Sequence, residues 1–189
     1  LKERRRWPLK GWAYAIALSP DAKQALVSER IPLVFDSGRR DGVGIWDVTE
    51  GKLLRELSTE FKGQYLSAAL WHPDGKTVFL GRGGEADGKK GVTAADVTSG
   101  KKTLTYEPGH QEGVTDLALH PDRKHLLSCG RDTTVKIWNI SDGKLLATLG
   151  KSRGGQFKDW YHAVAVSADG KRIAAGDMNG AVTVWTVPD

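Results

Sequence analysis

One short pattern returns four times along these 189 residues, which restricts the chain to architectures built by stacking a single structural unit. Its first marker is a tight acidic turn: Ser19-Pro20-Asp21-Ala22-Lys23, His72-Pro73-Asp74-Gly75-Lys76, His120-Pro121-Asp122-Arg123-Lys124 and Ser167-Ala168-Asp169-Gly170-Lys171. The aspartate recurs at spacings of 53, 48 and 47 residues. The second marker is Trp46-Asp47-Val48-Thr49-Glu50-Gly51-Lys52, echoed by Ala95-Asp96-Val97-Thr98-Ser99-Gly100-Lys101 and Trp138-Asn139-Ile140-Ser141-Asp142-Gly143-Lys144. Trp185-Thr186-Val187-Pro188-Asp189 begins a fourth copy.

Between the markers lie short runs rich in Val, Ile, Leu, Ala and aromatics, bounded by Gly, Pro, Asp or Asn. Examples are Tyr14 to Leu18, Lys23 to Val27, Gly44 to Val48, Thr77 to Leu80, Val114 to Leu119, His125 to Ser128, Val135 to Ile140, Arg172 to Ala175 and Val182 to Val187. No segment sustains a helical period. Pro presets φ in the turn, and Asp and Gly accept the geometry that remains, so each unit reads as strand a, turn, strand b, loop, strand c, turn, strand d.

This unit, with an aromatic-acid pair closing its third strand, resembles the WD-repeat β-propeller family, in which about 40–45 residues make one blade. The resemblance implies an all-β chain of four four-stranded antiparallel blades. It forms one propeller segment over 1–189, with blades near 10–57, 63–106, 109–149 and 157–189 and residues 1–9 as the outer strand of an adjacent blade. A seven-blade ring takes roughly 315 residues, so four blades imply an incomplete ring belonging to a larger propeller. Two alternatives stay open: Lys2 to Leu9 supplies strand d of the fourth blade, whose marker copy stops at Asp189, and closes a four-blade ring, or two chains pair into eight blades.

The third repeat matches the family best, with Gly109-His110, Ser128, Asp132 and Trp138 in place. The resemblance assigns His110, Ser128, Asp132 and Trp138 to a structural hydrogen-bond relay, in which a buried indole, imidazole and carboxylate satisfy one another. The other repeats depart from it. Asn179, Ala175 and Phe157 occupy the relay positions of the fourth, Ala95 replaces the third-strand Trp of the second, and the first two carry enlarged loops around Phe35 to Gly42 and Gly81 to Gly91.

Composition excludes several classes of chemistry. Cys129 is the only cysteine, which rules out an intrachain disulfide and a zinc site of cysteine pairs. Twenty-eight Lys+Arg against 23 Asp+Glu give +5, of which +3 sits in residues 2–6, leaving a nearly neutral body. Binding to nucleic acid through Arg4 to Arg6, Arg39 and Arg40 is thus the weaker reading. Gly81-Arg82-Gly83-Gly84 lacks the Lys-Ser/Thr of a phosphate loop, and Asn139 of the sequon Asn139-Ile140-Ser141 stands in the structural Asp position of the second marker. His120 and His125 flank a turn, but the sequence does not identify the third ligand a metal would need. No catalytic set emerges, so the expectation is a non-enzyme with no cofactor and no metal.

Aligning the repeats on their acidic turns superposes Trp12, Tyr65, Gly113 and Trp160, and two positions later Tyr14, Ser67, Thr115 and His162. In the family these slots, with the residue before the relay Asp (here Arg131 and Met178), face a partner-binding rim. The resemblance therefore implies a rim of Trp12, Tyr14, Tyr65, Arg131, Trp160, His162 and Met178, residue types that dominate interface hot spots. The competing use of Trp12 and Trp160 is packing between blades. The functional expectation is a non-catalytic scaffold or sensor for a protein or peptide of unknown identity, with no membrane partner and with self-pairing if the ring is incomplete. The alternative is the regulatory propeller of a multidomain bacterial enzyme whose catalytic domain lies outside this chain. No stretch approaches the roughly 20 apolar residues of a membrane span. A soluble chain is expected, with the cytoplasm favoured and the compartment otherwise unknown.

Overall fold

The computed structural model describes residues 2–30, 42–57, 61, 64–83, 91–152 and 160–187. Its strands form four antiparallel sheets in chain order. The first sheet runs β1 (Trp12–Leu18), β2 (Gln24–Arg30), β3 (Gly42–Asp47), β4 (Lys52–Glu56). The second runs β5 (Leu66–Trp71), β6 (Thr77–Arg82), β7 (Val92–Asp96), β8 (Lys102–Tyr106), and the third β9 (Val114–Leu119), β10 (His125–Gly130), β11 (Thr134–Asn139), β12 (Leu145–Gly150). The fourth has three strands among the described residues: β13 (Tyr161–Val166), β14 (Arg172–Asp177) and β15 (Val182–Thr186). The expected all-β architecture of repeated blades is what the chain adopts.

The acidic turn closes the same way four times. One oxygen of Asp21, Asp74, Asp122 and Asp169 accepts the N–H two residues on, from Lys23, Lys76, Lys124 and Lys171, at 2.7–3.1 Å. The residue after each Asp has positive φ: 56° at Ala22, 72° at Gly75, 60° at Arg123 and 73° at Gly170. Glycine enters this region freely, whereas Ala22 and Arg123 hold it at a cost of roughly 1 kcal/mol each.

Alternation along the strands sends successive side chains into different layers, so the core consists of three slabs between consecutive sheets. Leu26, Ile45, Leu66, Val78 and Leu80 fill the first slab, Phe79, Tyr106, Val114, Leu126 and Trp138 the second, and Leu127, Cys129, Val135, Tyr161 and Ile173 the third. Beyond the slabs apolar side chains meet solvent: Trp12, Ile16 and Leu18 on β1, and Val182 and Val184 on β15, are all exposed.

Where the sequence reading put an outer strand at residues 1–9, residues 2–9 form none. Trp7 instead stacks on Trp46, with ring centroids 6.4 Å apart, and Arg5 donates to the Glu50 carbonyl at 3.0 Å, so this segment lies against the first sheet. Pro8 has no N–H to give a strand ladder. Most of the two enlarged loops, and Phe157, fall outside the described residues.

Candidate functional site

The geometry begins in the third sheet, where a turn joins β10 to β11. Trp138 Nε1 donates to Ser128 Oγ at 2.9 Å, and His110 Nε2 lies 2.8 Å from the same hydroxyl. His110 Nδ1 lies 2.9 Å from Asp132 Oδ1, which also accepts from Thr134 Oγ1 at 2.8 Å, while Asp132 Oδ2 accepts the Gln111 N–H at 2.9 Å. All four principal side chains are buried. With the imidazole proton on Nδ1, indole N–H, serine O–H and imidazole N–H form one directed chain ending on the carboxylate, and no donor is wasted. Burial opposes the charge of Asp132, yet hydrogen bonds from His110, Gln111 and Thr134 prevail and hold its carboxyl down at about 2. Gly130 leaves room for the ring, since a Cβ there would sit 2.5 Å from His110 Nδ1.

Nearby titratable groups have structural surroundings. Burial holds Asp116 above the usual carboxyl range, and it accepts the N–H groups of Leu117 and Val164, both at 2.9 Å, the second across the junction between sheets. Burial likewise pushes the Cys129 thiol up to about 12. A buried thiol of this kind is inert. A thiol-reactive dye at about pH 8 is therefore expected to leave Cys129 unmodified in the native chain and to react once denaturant is added. Rapid stoichiometric reaction without denaturant would contradict this placement.

On the rim, Tyr14 and Tyr65 meet edge to face with centroids 4.9 Å apart. The Arg131 guanidinium lies 5.9 Å from the Tyr65 ring and 4.5 Å from the Trp160 ring. One row of rings and cation thus crosses all four sheets. Arg30, which the sequence reading did not select, joins it at 4.8 Å from Tyr65 and 5.8 Å from Tyr14. Burial, with Tyr14 alongside, pushes the Tyr65 hydroxyl up to about 12 and keeps it neutral. Trp12 pairs with Arg30 in the β1–β2 ladder and is 59% exposed; Met178 donates its N–H to the Trp160 carbonyl at 3.1 Å and is 54% exposed. Trp160 and Arg131 are half-buried, and His162 stands exposed on β13, outside the row.

Arg30 had a legible signal. It follows Trp12 by eighteen residues, as Gly83 follows Tyr65, Arg131 follows Gly113 and Met178 follows Trp160. The slot two positions on is divided in use. The hydroxyls of Ser67 and Thr115 donate to the carbonyls of Val114 and Tyr161 in the next sheet, so they join sheets together, whereas Tyr14 and His162 face outward. The residue after each aromatic or glycine of the first slot is expected to turn inward, and Leu66, Val114 and Tyr161 do; Ala13 is exposed, because among the described residues no preceding sheet packs on β1 as one does on β5, β9 and β13.

The basic residues of the weaker reading divide. Arg6 pairs with Glu3 at 2.9 Å and Arg5 is bound to Glu50, while Arg39 and Arg40 lie outside the described residues.

Comparison with known proteins bears on this geometry. The family described as WD domain, G-beta repeat matches residues 100–139 and 143–186. Autophagy-related protein 16 of Arabidopsis thaliana is 28% identical over 156 residues, 82% of this chain and 28% of that protein. Small ribosomal subunit protein RACK1y of Oryza sativa subsp. japonica is 28% identical over 181 residues, 94% of this chain and 48% of that protein. Protein transport protein SEC31 of Saccharomyces cerevisiae is 30% identical over 145 residues, 69% of this chain and 11% of that protein. The chain spans less than half the length of these relatives. With two matched repeats over 100–186 and one sheet unit built in succession along its length, the chain carries WD repeats.

Proposed function

We propose that the chain is a non-catalytic interaction module that docks a protein or peptide partner on the rim of Trp12, Tyr14, Tyr65, Arg131, Trp160, His162 and Met178, with Arg30 added. The observation that carries this reading is the continuous row of Tyr14, Tyr65, Arg131 and Trp160, flanked by exposed Trp12 and Met178. Stacking holds the guanidinium in place before a partner arrives, so little side-chain entropy is lost on binding, and the flanking apolar groups offer area to bury. The buried relay of His110, Ser128, Asp132 and Trp138 supports the rim from below by fixing the turn that carries Arg131. Kinship with WD-repeat proteins named for autophagy, the ribosome and protein transport supports an interaction role.

The test selects binders from a random peptide library against the wild-type chain and measures their affinity for Trp160→Ala. The variant should weaken binding by about 2 kcal/mol, roughly thirtyfold, with the melting temperature nearly unchanged. Selected peptides that bind wild type and Trp160→Ala alike, and that do not protect the rim in hydrogen exchange, would refute the reading.

A further inference from the structure

The acidic turn between β9 and β10 differs from its sister turns in carrying two histidines around its aspartate. His120 Nε2 lies 3.1 Å from the Gly170 carbonyl oxygen and donates its proton there, which in the neutral ring leaves the lone pair on Nδ1. Gly170 permits the approach, since a Cβ at that position would come within 2.8 Å of the His120 ring. His120 Nδ1 is 3.0 Å from Asp122 Oδ2 and receives only a long N–H contact, 3.3 Å, from Asp122. Two electron pairs therefore face each other, an arrangement that a shared cation makes attractive. From the other side His125 Nδ1 lies 2.6 Å from the same oxygen. One donor atom from each of the three residues falls within 4.8 Å of the others, and all three side chains reach solvent.

We propose that His120, Asp122 and His125 form a binding site for a divalent transition-metal cation of the zinc class. Two imidazoles and a carboxylate are the donors such an ion prefers, and water completes its coordination in an open surface site. The groups are set for this use. Asp122 Oδ1 is occupied by the N–H groups of Lys124 and His125 at 2.8 and 3.2 Å, which fixes the carboxylate and leaves Oδ2 facing both rings. The Gly170 carbonyl orients His120 from behind, as partners of metal-bound imidazoles do.

The second sheet contains the same turn without the third donor. His72 Nδ1 lies 3.1 Å from Asp74 Oδ2, and Thr77 Oγ1 donates to that oxygen at 2.9 Å where His125 stands in the third sheet. Threonine suffices to close the turn, so the imidazole at 125 adds a ligand that the fold does not require.

Titration of the native chain with zinc chloride at about pH 8, above the ordinary imidazole range, separates metal binding from protonation. One equivalent should bind, and cobalt chloride in its place should give a visible ligand-field band. His125→Thr rebuilds the Thr77 turn. It should keep the melting temperature and weaken zinc binding at least about tenfold. Thr77→His, which installs the missing donor beside His72 and Asp74, should raise the stoichiometry to two. No saturable binding by the wild type below roughly 1 mM zinc, or His125→Thr binding as tightly as the wild type, would overturn the proposal.

Discussion

Trp138→Ala will lower the unfolding free energy of the chain by about 3–5 kcal/mol. The indole is fully buried in the slab between the second and third sheets, edge to face with Tyr106 at 6.0 Å, and its N–H ends on Ser128. Truncation removes a large apolar area and leaves a cavity walled by strands from two sheets, which cannot close without breaking their ladders. It also removes the donor from Ser128 and weakens the hydroxyl that holds His110 in place. Urea titration of the wild type and variant measures the loss. Trp185, the equivalent residue of the fourth sheet, is half-buried, so Trp185→Ala should cost clearly less. Equal losses, or a loss below about 1 kcal/mol at Trp138, would contradict the assignment.

Asp132→Ala is expected to cost about 2–3 kcal/mol at neutral pH and to change the acid response of the chain. Without the carboxylate, the Gln111 N–H, the Thr134 hydroxyl and the His110 ring lose a shared acceptor in a buried site. The sign follows from the native carboxyl, held at about 2 against an ordinary 3.8. Its contribution to stability is complete above about pH 4 and disappears as the pH falls toward 2. The stability gap between wild type and Asp132→Ala should therefore narrow over that interval. Urea melts from neutral pH down to about pH 2 test this, and a gap that stays constant would show that the carboxylate is not held as described.

Inner strands were legible from the sequence where apolar runs sat between turn markers. Val114–Leu119 and the start of β6 at Thr77 were read to the residue, and β10 and β14 only ran two residues longer than expected. Strands with weaker composition were placed only by analogy with the repeat. β4 reads Lys-Leu-Leu-Arg-Glu and is exposed throughout, since an outer strand gains little from apolar side chains and is protected from pairing by charge. β5 and β7 depend on alanines that suit close sheet packing but carry little β propensity. At the site, Arg131 could be read from its place before Asp132. Arg30 was obscured because the first repeat lacks a relay aspartate to count from, and only the constant offset from Trp12 exposes it. Asp122 was missed as a partner of His120 and His125 because its role in the turn accounted for it; the fold shows that one carboxylate oxygen serves the turn and the other faces the rings.

Among the described residues, every substantial contact between sheets joins consecutive sheets, with β1 against β5, β5 against β9 and β9 against β13. Such a connectivity behaves as a linear array of coupled units rather than one indivisible core. The second and third sheets are clamped from both sides. The first and fourth have one described neighbour each, so in the 189-residue chain taken by itself their local opening takes less free energy than opening the middle pair, and amide exchange of that chain should be fastest in those two sheets. A lesion at one junction then divides the array into cooperative pieces and leaves order in the units it does not touch. The row of Tyr14, Tyr65, Arg131 and Trp160 spans all three junctions, so any ligand that grips its whole length also couples the fraying ends to the stable middle.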